Sequence, residues 1–226
     1  MKKLFTIVIL IFSLHVVASG QRQFTAADSA KYPAYWWHSK DMFDNLPDIR
    51  GEIIFLGNSI TDGGEWFELL ENKKCLNRGI SGDVTEGILL RLDGITRVKP
   101  SKIFLMIGVN DLSRDISVDQ ITENYRLILK KIKAETPGTK VYIESVLPVN
   151  PAGTSTRHRD KTDLIIKLNV NLKTLAAEYG YRYVDLFSVM ADKNNYLPKK
   201  YSIDGLHLTY EGYKVWVNTI RSLVNE

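Results

Sequence analysis

Cysteine is nearly missing from this sequence. Cys75 is the only one in 226 residues, so no disulfide can form within the chain. Its apolar neighbour Leu76 marks it as a small buried hydrophobe rather than a reactive thiol. Histidine is also scarce, at four residues, and no CxxC, HExxH or clustered-histidine pattern offers a metal site. Nothing in the sequence calls for a cofactor. An excess of charge of one sign is lacking too: 30 Lys and Arg face 26 Asp and Glu, for a net +4. Without a cationic cluster, nucleic acid is not expected as a partner. No repeat, low-complexity run or linker divides the chain.

Long apolar runs are absent except at one end. Met1-Lys2-Lys3 is a short basic head, and residues 4–17 are apolar apart from Thr6, Ser13 and His15. Ala18-Ser19-Gly20 then places small residues before a cut ahead of Gln21. That layout is a secretory signal peptide, and the run is short for a membrane span. No Cys lies near the cut to carry a lipid. The expectation is a signal peptide over 1–20, one domain over 21–226, and an exported protein, secreted or periplasmic, with no membrane insertion after cleavage. Losing Lys2 and Lys3 lowers the net charge from +4 to +2. A chain of this length with 44% apolar residues can bury a substantial core.

From residue 52 onward, short apolar runs alternate with longer amphipathic ones. Strands are expected at 52–56 (EIIFL), 102–107 (KIFLMI), 141–147 (VYIESVL) and 181–186 (YRYVDL), with a weaker one at 75–77. Asp83 with Glu86, and Ser117 with Gln120, read as capping boxes opening helices. The second of these helices should stop at Pro137-Gly138. Another helix is expected from about 162 to 179, with Gly180 as its stop, and Thr209 should cap the last one. Repeated strand–helix alternation implies an α/β fold, a parallel sheet covered by helices on both faces. Residues 149–161 (VNPAGTSTRHRDK) form the one long non-periodic segment, and such loops are often functional.

Ligands in open parallel sheets bind beyond the carboxyl ends of the strands. There the sequence places Gly57-Asn58-Ser59, then Arg78-Gly79-Ile80-Ser81-Gly82-Asp83, then Gly108-Val109-Asn110-Asp111; Asp204-Gly205-Leu206-His207 precedes the last helix. Each alone could be an ordinary turn, since Gly, Asn, Asp and Ser are the usual turn formers. Together they supply what acyl transfer needs. A serine hydroxyl requires a base, a histidine near neutrality is the usual one, and that histidine needs a carboxylate to hold its tautomer. Asp204 is near enough in sequence to reach the Nδ1 of His207. The Ser59 and Gly79 backbone N–H groups and the Asn110 side-chain amide are candidate donors to an oxyanion.

These blocks, in this order, resemble those of the SGNH hydrolases, the GDSL-type esterase and lipase superfamily, over nearly the whole chain after residue 20. The resemblance implies a three-layer α/β/α sandwich with a flavodoxin-like parallel sheet of about five strands. It assigns Ser59 as nucleophile, Gly79 and Asn110 as oxyanion donors, Asp204 as orienting acid and His207 as base. One departure is that the family's GDS stands here as GNS, so Asn58 replaces an aspartate outside the triad. The segment is not G-x-S-x-G, and the acid lies only three residues before its histidine, which argues against the α/β-hydrolase arrangement.

IIFLGNSIT and IGVND are similar to the branch holding platelet-activating-factor acetylhydrolase-like and carbohydrate acetylesterase-like members. That resemblance implies a small acyl ester as substrate, with an acetyl group on a sugar or sialic acid as the expectation. Competing readings are a lysophospholipase or thioesterase, which would need an apolar acyl channel, and a non-catalytic glycan-binding module, which would have lost a triad member. A flavodoxin-like cofactor binder would want a phosphate-cradling loop, and GNSITDGG has neither GxGxxG spacing nor a Walker lysine. Tyr35-Trp36-Trp37 reads as a helix packed on the sheet, with sugar stacking as the alternative. Trp66 reads as core packing, Asp185 as a structural acceptor and His158 as a solvated loop residue.

Overall fold

The computed structural model describes residues 31–226; the expected signal peptide lies outside the described residues. Residues Pro33–Glu226 form one compact unit. Five parallel strands, β1 (Ile53–Gly57), β2 (Cys75–Gly79), β3 (Lys102–Met106), β4 (Lys140–Glu144) and β5 (Arg182–Val184), make a single sheet in the order β2-β1-β3-β4-β5. The chain steps outward from β1 to β2, then returns past β1 to β3. The ends of β1 and β3 therefore flank the point where the winding reverses, the usual ligand crevice of such sheets.

Parallel strands with both faces covered should be apolar throughout, and every residue of β1 and β3 is buried. Alternation sends Phe55, Phe104 and Tyr142 to one face. The register pairs Phe55 with Phe104 and Phe104 with Tyr142, and their rings stack at centroid distances of 5.0 and 4.4 Å. Trp66 extends the row, stacked on Phe55 at 4.1 Å. Trp66 is thus core, as its sequence setting indicated.

The helices are α1 (Ala34–Asn45), α2 (Ser59–Asp62), α3 (Trp66–Leu70), α4 (Thr85–Arg97), α5 (Val109–Ser113), α6 (Val118–Glu135), α7 (Thr156–Arg159), α8 (Thr162–Tyr179), α9 (Leu186–Met190) and α10 (Tyr210–Asn225). Helices α4, α6 and α8 lie side by side in one layer, while α10 packs with α3 and α9 in the other. Trp216 of α10 meets Trp66 edge-on at 4.8 Å, placing that helix over the aromatic row. Lys102, at the start of β3, donates from Nζ to the carbonyls of Leu223 and Val224 at 2.8 and 2.6 Å, a cation on the free C-terminal carbonyls of α10. The layers make a three-layer α/β/α sandwich.

Three of the local signals held. Ser117 accepts from the Gln120 N–H, Thr209 accepts from Gly212, and Gly180 closes α8 at φ +72°. The Asp83–Glu86 capping box did not form. Instead Asp111, on α5 just beyond β3, accepts the Thr85 N–H at 3.0 Å and its hydroxyl at 2.5 Å. The weak strand at 75–77 runs to Gly79 as β2, an edge strand whose half-buried middle hid it from hydropathy. Helix α1 packs on α4 and meets the edge strand of the sheet, where Arg78 of β2 lies over the Phe43 ring at 4.9 Å; Trp36 is fully buried and its Nε1 donates to Asp83 Oδ1 at 2.9 Å. Among the described residues no helix is long and apolar enough to cross a membrane.

Candidate active site

The nucleophile candidate is positioned by two close backbone passes. At Gly57, a Cβ would sit 2.1 Å from Thr61 Oγ1 and 2.5 Å from the Met106 carbonyl, so only glycine lets β1 end this close to α2 and β3. Asn58 then caps α2, its Oδ1 accepting from the Ile60 N–H at 3.0 Å, which makes Ser59 the first residue of that turn. An amide oxygen suffices for this bond, which accounts for asparagine standing where the resembled family has aspartate. Tyr213 of α10 donates to the Ile60 carbonyl at 2.7 Å.

Ser59 Oγ lies 2.9 Å from His207 Nε2, and His207 Nδ1 lies 2.6 Å from Asp204 Oδ2. With the Nδ1 proton held by the carboxylate, Nε2 is free to accept from the serine. Asp204 Oδ1 also accepts the backbone N–H groups of Leu206 and His207, at 3.0 and 2.8 Å. One carboxylate therefore fixes both the backbone and the ring of its own histidine. Burial pushes the Asp204 carboxyl up, but the bonds from His207 and Leu206 prevail and hold it at about 2, so it is an anion at any neutral pH.

The donors differ from expectation at one position. The Gly79 N–H is already donated to Asn77 Oδ1 at 2.8 Å, and a Cβ on Gly79 would lie 2.2 Å from the Asp62 nitrogen. Gly79 is a spacer that lets β2 touch α2, and its N–H is not available to substrate. Three residues on, Gly82 sits in an exposed turn at φ +79°, and its N–H has no hydrogen bond among the described residues. Its carbonyl accepts from Arg114 Nη2 at 2.7 Å. The second glycine of GISG, directly before an aspartate and a helix start, was the legible signal for it. The Ser59 N–H is likewise without a partner. Asn110, nearly buried on α5, gives one amide proton to the Asp83 carbonyl at 2.9 Å and keeps a second.

Beneath these groups lies a buried network that sequence reasoning did not identify. Arg91 of α4 donates from Nε to Asp83 Oδ2 at 2.8 Å, from Nη1 to the Arg78 carbonyl at 2.9 Å, and from Nη2 to the Gly57 carbonyl at 3.0 Å. One guanidinium thus ties the end of β1, the end of β2 and the residue whose carbonyl holds Asn110. Burial pushes the Asp83 carboxyl up while Arg91 pulls it back. Burial also raises Asp111 to about 6, despite its bonds from Thr85. Asn77 Nδ2 reaches the carbonyls of Thr61, Asp62 and Gly64 at 2.8–3.0 Å. Its amide closes the far end of α2.

Other residues singled out in the sequence lie apart from this line of bonds. Asp185 caps α9, accepting from the Ser188 N–H at 3.0 Å. Cys75 is buried, and burial pushes its thiol up to about 11. His158 is not solvated; it is buried on the short helix α7 that interrupts the 149–161 segment.

The site can therefore deprotonate a serine, and the unpaired donors of Gly82 and Asn110 lie just beyond the ends of the strands that flank the one before it. A model of the GDSL-like lipase/acylhydrolase family matches residues 55–215. The chain is 24% identical over 186 residues to platelet-activating factor acetylhydrolase IB subunit alpha1 of Rattus norvegicus, covering 78% of this chain and 76% of that one. Among solved structures, a Bacteroides fragilis protein assigned as an acylhydrolase superposes with a TM-score of 0.74 at 26% identity, over 84% of this chain and 95% of its own. An acetylxylan esterase from Geobacillus stearothermophilus shares the fold, with a TM-score of 0.64 at 17% identity over 78% and 95%.

Proposed function

The chain belongs to the GDSL-like lipase/acylhydrolase family and is a carboxylic ester hydrolase, and from that premise we propose that Ser59, His207 and Asp204 hydrolyse a small acyl ester through a covalent acyl-serine. The observation that carries this reading is the continuous line from Ser59 Oγ through His207 to Asp204 Oδ2, with both links inside 3 Å. His207 Nε2 takes the hydroxyl proton as Ser59 Oγ bonds to the ester carbon. The carbonyl electrons move onto oxygen, and the N–H groups of Ser59 and Gly82 and the free Asn110 amide proton donate hydrogen bonds to that oxyanion. On collapse the carbon–alcohol bond breaks, and His207 returns the proton to the leaving oxygen. A water molecule, deprotonated by His207, then attacks the acyl carbon and releases the carboxylic acid with Ser59 restored.

Acetyl is the acyl group we assign. The rat relative and the Geobacillus structure are both named for acetyl esters, and IIFLGNSIT and IGVND point the same way. A carbohydrate alcohol is the companion assignment, together with export directed by residues 1–20, whose basic head and apolar run support it. The test is turnover on acetyl, butyryl and long-chain chromogenic esters beside an O-acetylated sugar. Acetyl esters should be the best substrates, and Ser59→Ala should remove the activity while the melting temperature stays put. A preference for long chains would instead support the lysophospholipase or thioesterase reading.

A further inference from the structure

The turn that offers the Gly82 N–H is not held by packing. It spans residues 80–83 and is closed by the Asp83 N–H, which donates to the Ile80 carbonyl at 3.1 Å. Its two central residues, Ser81 and Gly82, are both exposed, and Gly82 has no side chain to bury. A donor to an oxyanion must nonetheless keep its place to within about 0.5 Å. Two hydrogen bonds supply that placement. On one side the Gly82 carbonyl accepts from Arg114 Nη2 at 2.7 Å. On the other, the Ser81 hydroxyl donates to Asp62 Oδ2 at 2.7 Å. The peptide that carries the donor joins these two anchored residues.

Asp62 is suited to this by where it stands. It is the last residue of α2, the turn that Ser59 opens. Its N–H donates to the Asn58 carbonyl at 2.8 Å, and its own carbonyl accepts from Asn77 Nδ2 at 2.8 Å. The backbone behind the carboxylate is therefore fixed on both sides. The carboxylate is braced in turn by α1, where the Tyr35 hydroxyl donates to the same Oδ2 at 2.9 Å. Because both hydroxyls use one oxygen, an amide oxygen in its place could accept them too.

We infer that Asp62 is a positioning residue for the oxyanion site. Through the Ser81 hydroxyl it ties the Gly82 N–H to the turn that carries Ser59, so that nucleophile and donor keep one spacing. This rests on the ester-hydrolase reading of the Ser59 site. In that role Asp62 acts only through Gly82. A displaced donor weakens the bond to the charged intermediate and leaves binding of the neutral ester alone, so its loss falls on kcat.

The test is a double-mutant cycle on a chromogenic acetate, with kcat, KM and melting temperature measured on the same preparations. Asp62→Ala and Ser81→Ala should each lower kcat about tenfold, a part of what removal of a whole donor costs, with KM within about twofold of the parent. The double variant should be no slower than the slower single one, because both changes break the same bond. Asp62→Asn should recover most of kcat. An unaltered kcat in either alanine variant, with or without a lowered melting temperature, overturns the inference. So does an additive loss of about a hundredfold in the double variant, or no recovery in Asp62→Asn. Should Asp62→Ala not fold, Ser81→Ala and Asp62→Asn still decide it, the first by losing kcat and the second by keeping it. Ser59→Ala separates this inference from the reading beneath it. Turnover by Ser59→Ala would refute the serine mechanism, whereas full kcat in Asp62→Ala beside an inactive Ser59→Ala refutes the positioning role alone.

Discussion

Asn110 has two amide protons with two destinations. One is fixed on the Asp83 carbonyl, which leaves the other for a ligand. A donor of this kind acts on the charged intermediate more than on the neutral carbonyl, so its loss belongs to kcat. Asn110→Ala should lower kcat by about 10²–10³ with little change in KM. Asn110→Asp should be worse, since a carboxylate oxygen would face the developing negative charge. Melting curves on the same preparations separate this from a turn residue, whose removal lowers the melting temperature and leaves kcat alone. The two nearby glycines should fail differently. Gly79→Ala forces a methyl onto the Asp62 backbone and should lower both melting temperature and activity. At Gly82 a Cβ meets nothing closer than Arg114 Nη2 at 3.9 Å, but φ +79° strains any side chain by about 1–2 kcal/mol. Gly82→Ala should therefore lower kcat through a displaced N–H more than it lowers stability. The reverse order would restore Gly79 as the donor.

At the scale of elements, Arg91 is the clearest case of stability and site geometry sharing one side chain. Its pair with Asp83 is almost fully buried, and breaking such a pair from one side leaves an uncompensated charge at a cost of about 3–5 kcal/mol. Arg91→Met should lower the melting temperature sharply. Arg91→Lys keeps the charge but cannot reach Asp83 and the carbonyls of Gly57 and Arg78 together. The lysine variant should recover part of the stability and little of kcat; full recovery of kcat would show that the three-way tie is not needed. None of this was legible in the sequence, because the partners are 8, 13 and 34 residues from Arg91 and a lone Arg on an amphipathic helix reads as solvated. Ser117, Thr209 and Gly180 were legible because caps are local, whereas the cap of α4 comes from Asp111, 26 residues away. His158 misled for a similar reason: a polar, aperiodic run reads as solvated loop even where it folds under a neighbouring turn.

At the scale of the whole molecule, strand order does the assembling. The order β2-β1-β3-β4-β5 brings the ends of β1 and β3 together where the winding reverses, so the elements that carry Ser59 and Asn110 follow neighbouring strands although 51 positions separate the two residues in the sequence. The turn before α10 closes over the same edge and delivers His207 across 148 positions. Alternating strands and helices were legible, and so were the chemical types at the strand ends, since apolar strands and turn-forming residues leave local traces. The strand order came only with the family resemblance, and the aromatic row of Phe55, Phe104 and Tyr142 depends on distant neighbours and left no local trace; Gly82 had a signal in GISGD, but only the Asn77 bond to the Gly79 N–H decides between the two glycines. The central claim is a covalent acyl group on Ser59, and it can be seen directly. Protein quenched in acid within the first turnovers of a chromogenic acetate is digested and weighed by mass spectrometry. A serine nucleophile predicts a burst of released alcohol and an acetyl group on the peptide holding Ser59, lost in Ser59→Ala. Acetyl on any other residue, or steady turnover by Ser59→Ala with no adduct, would contradict it.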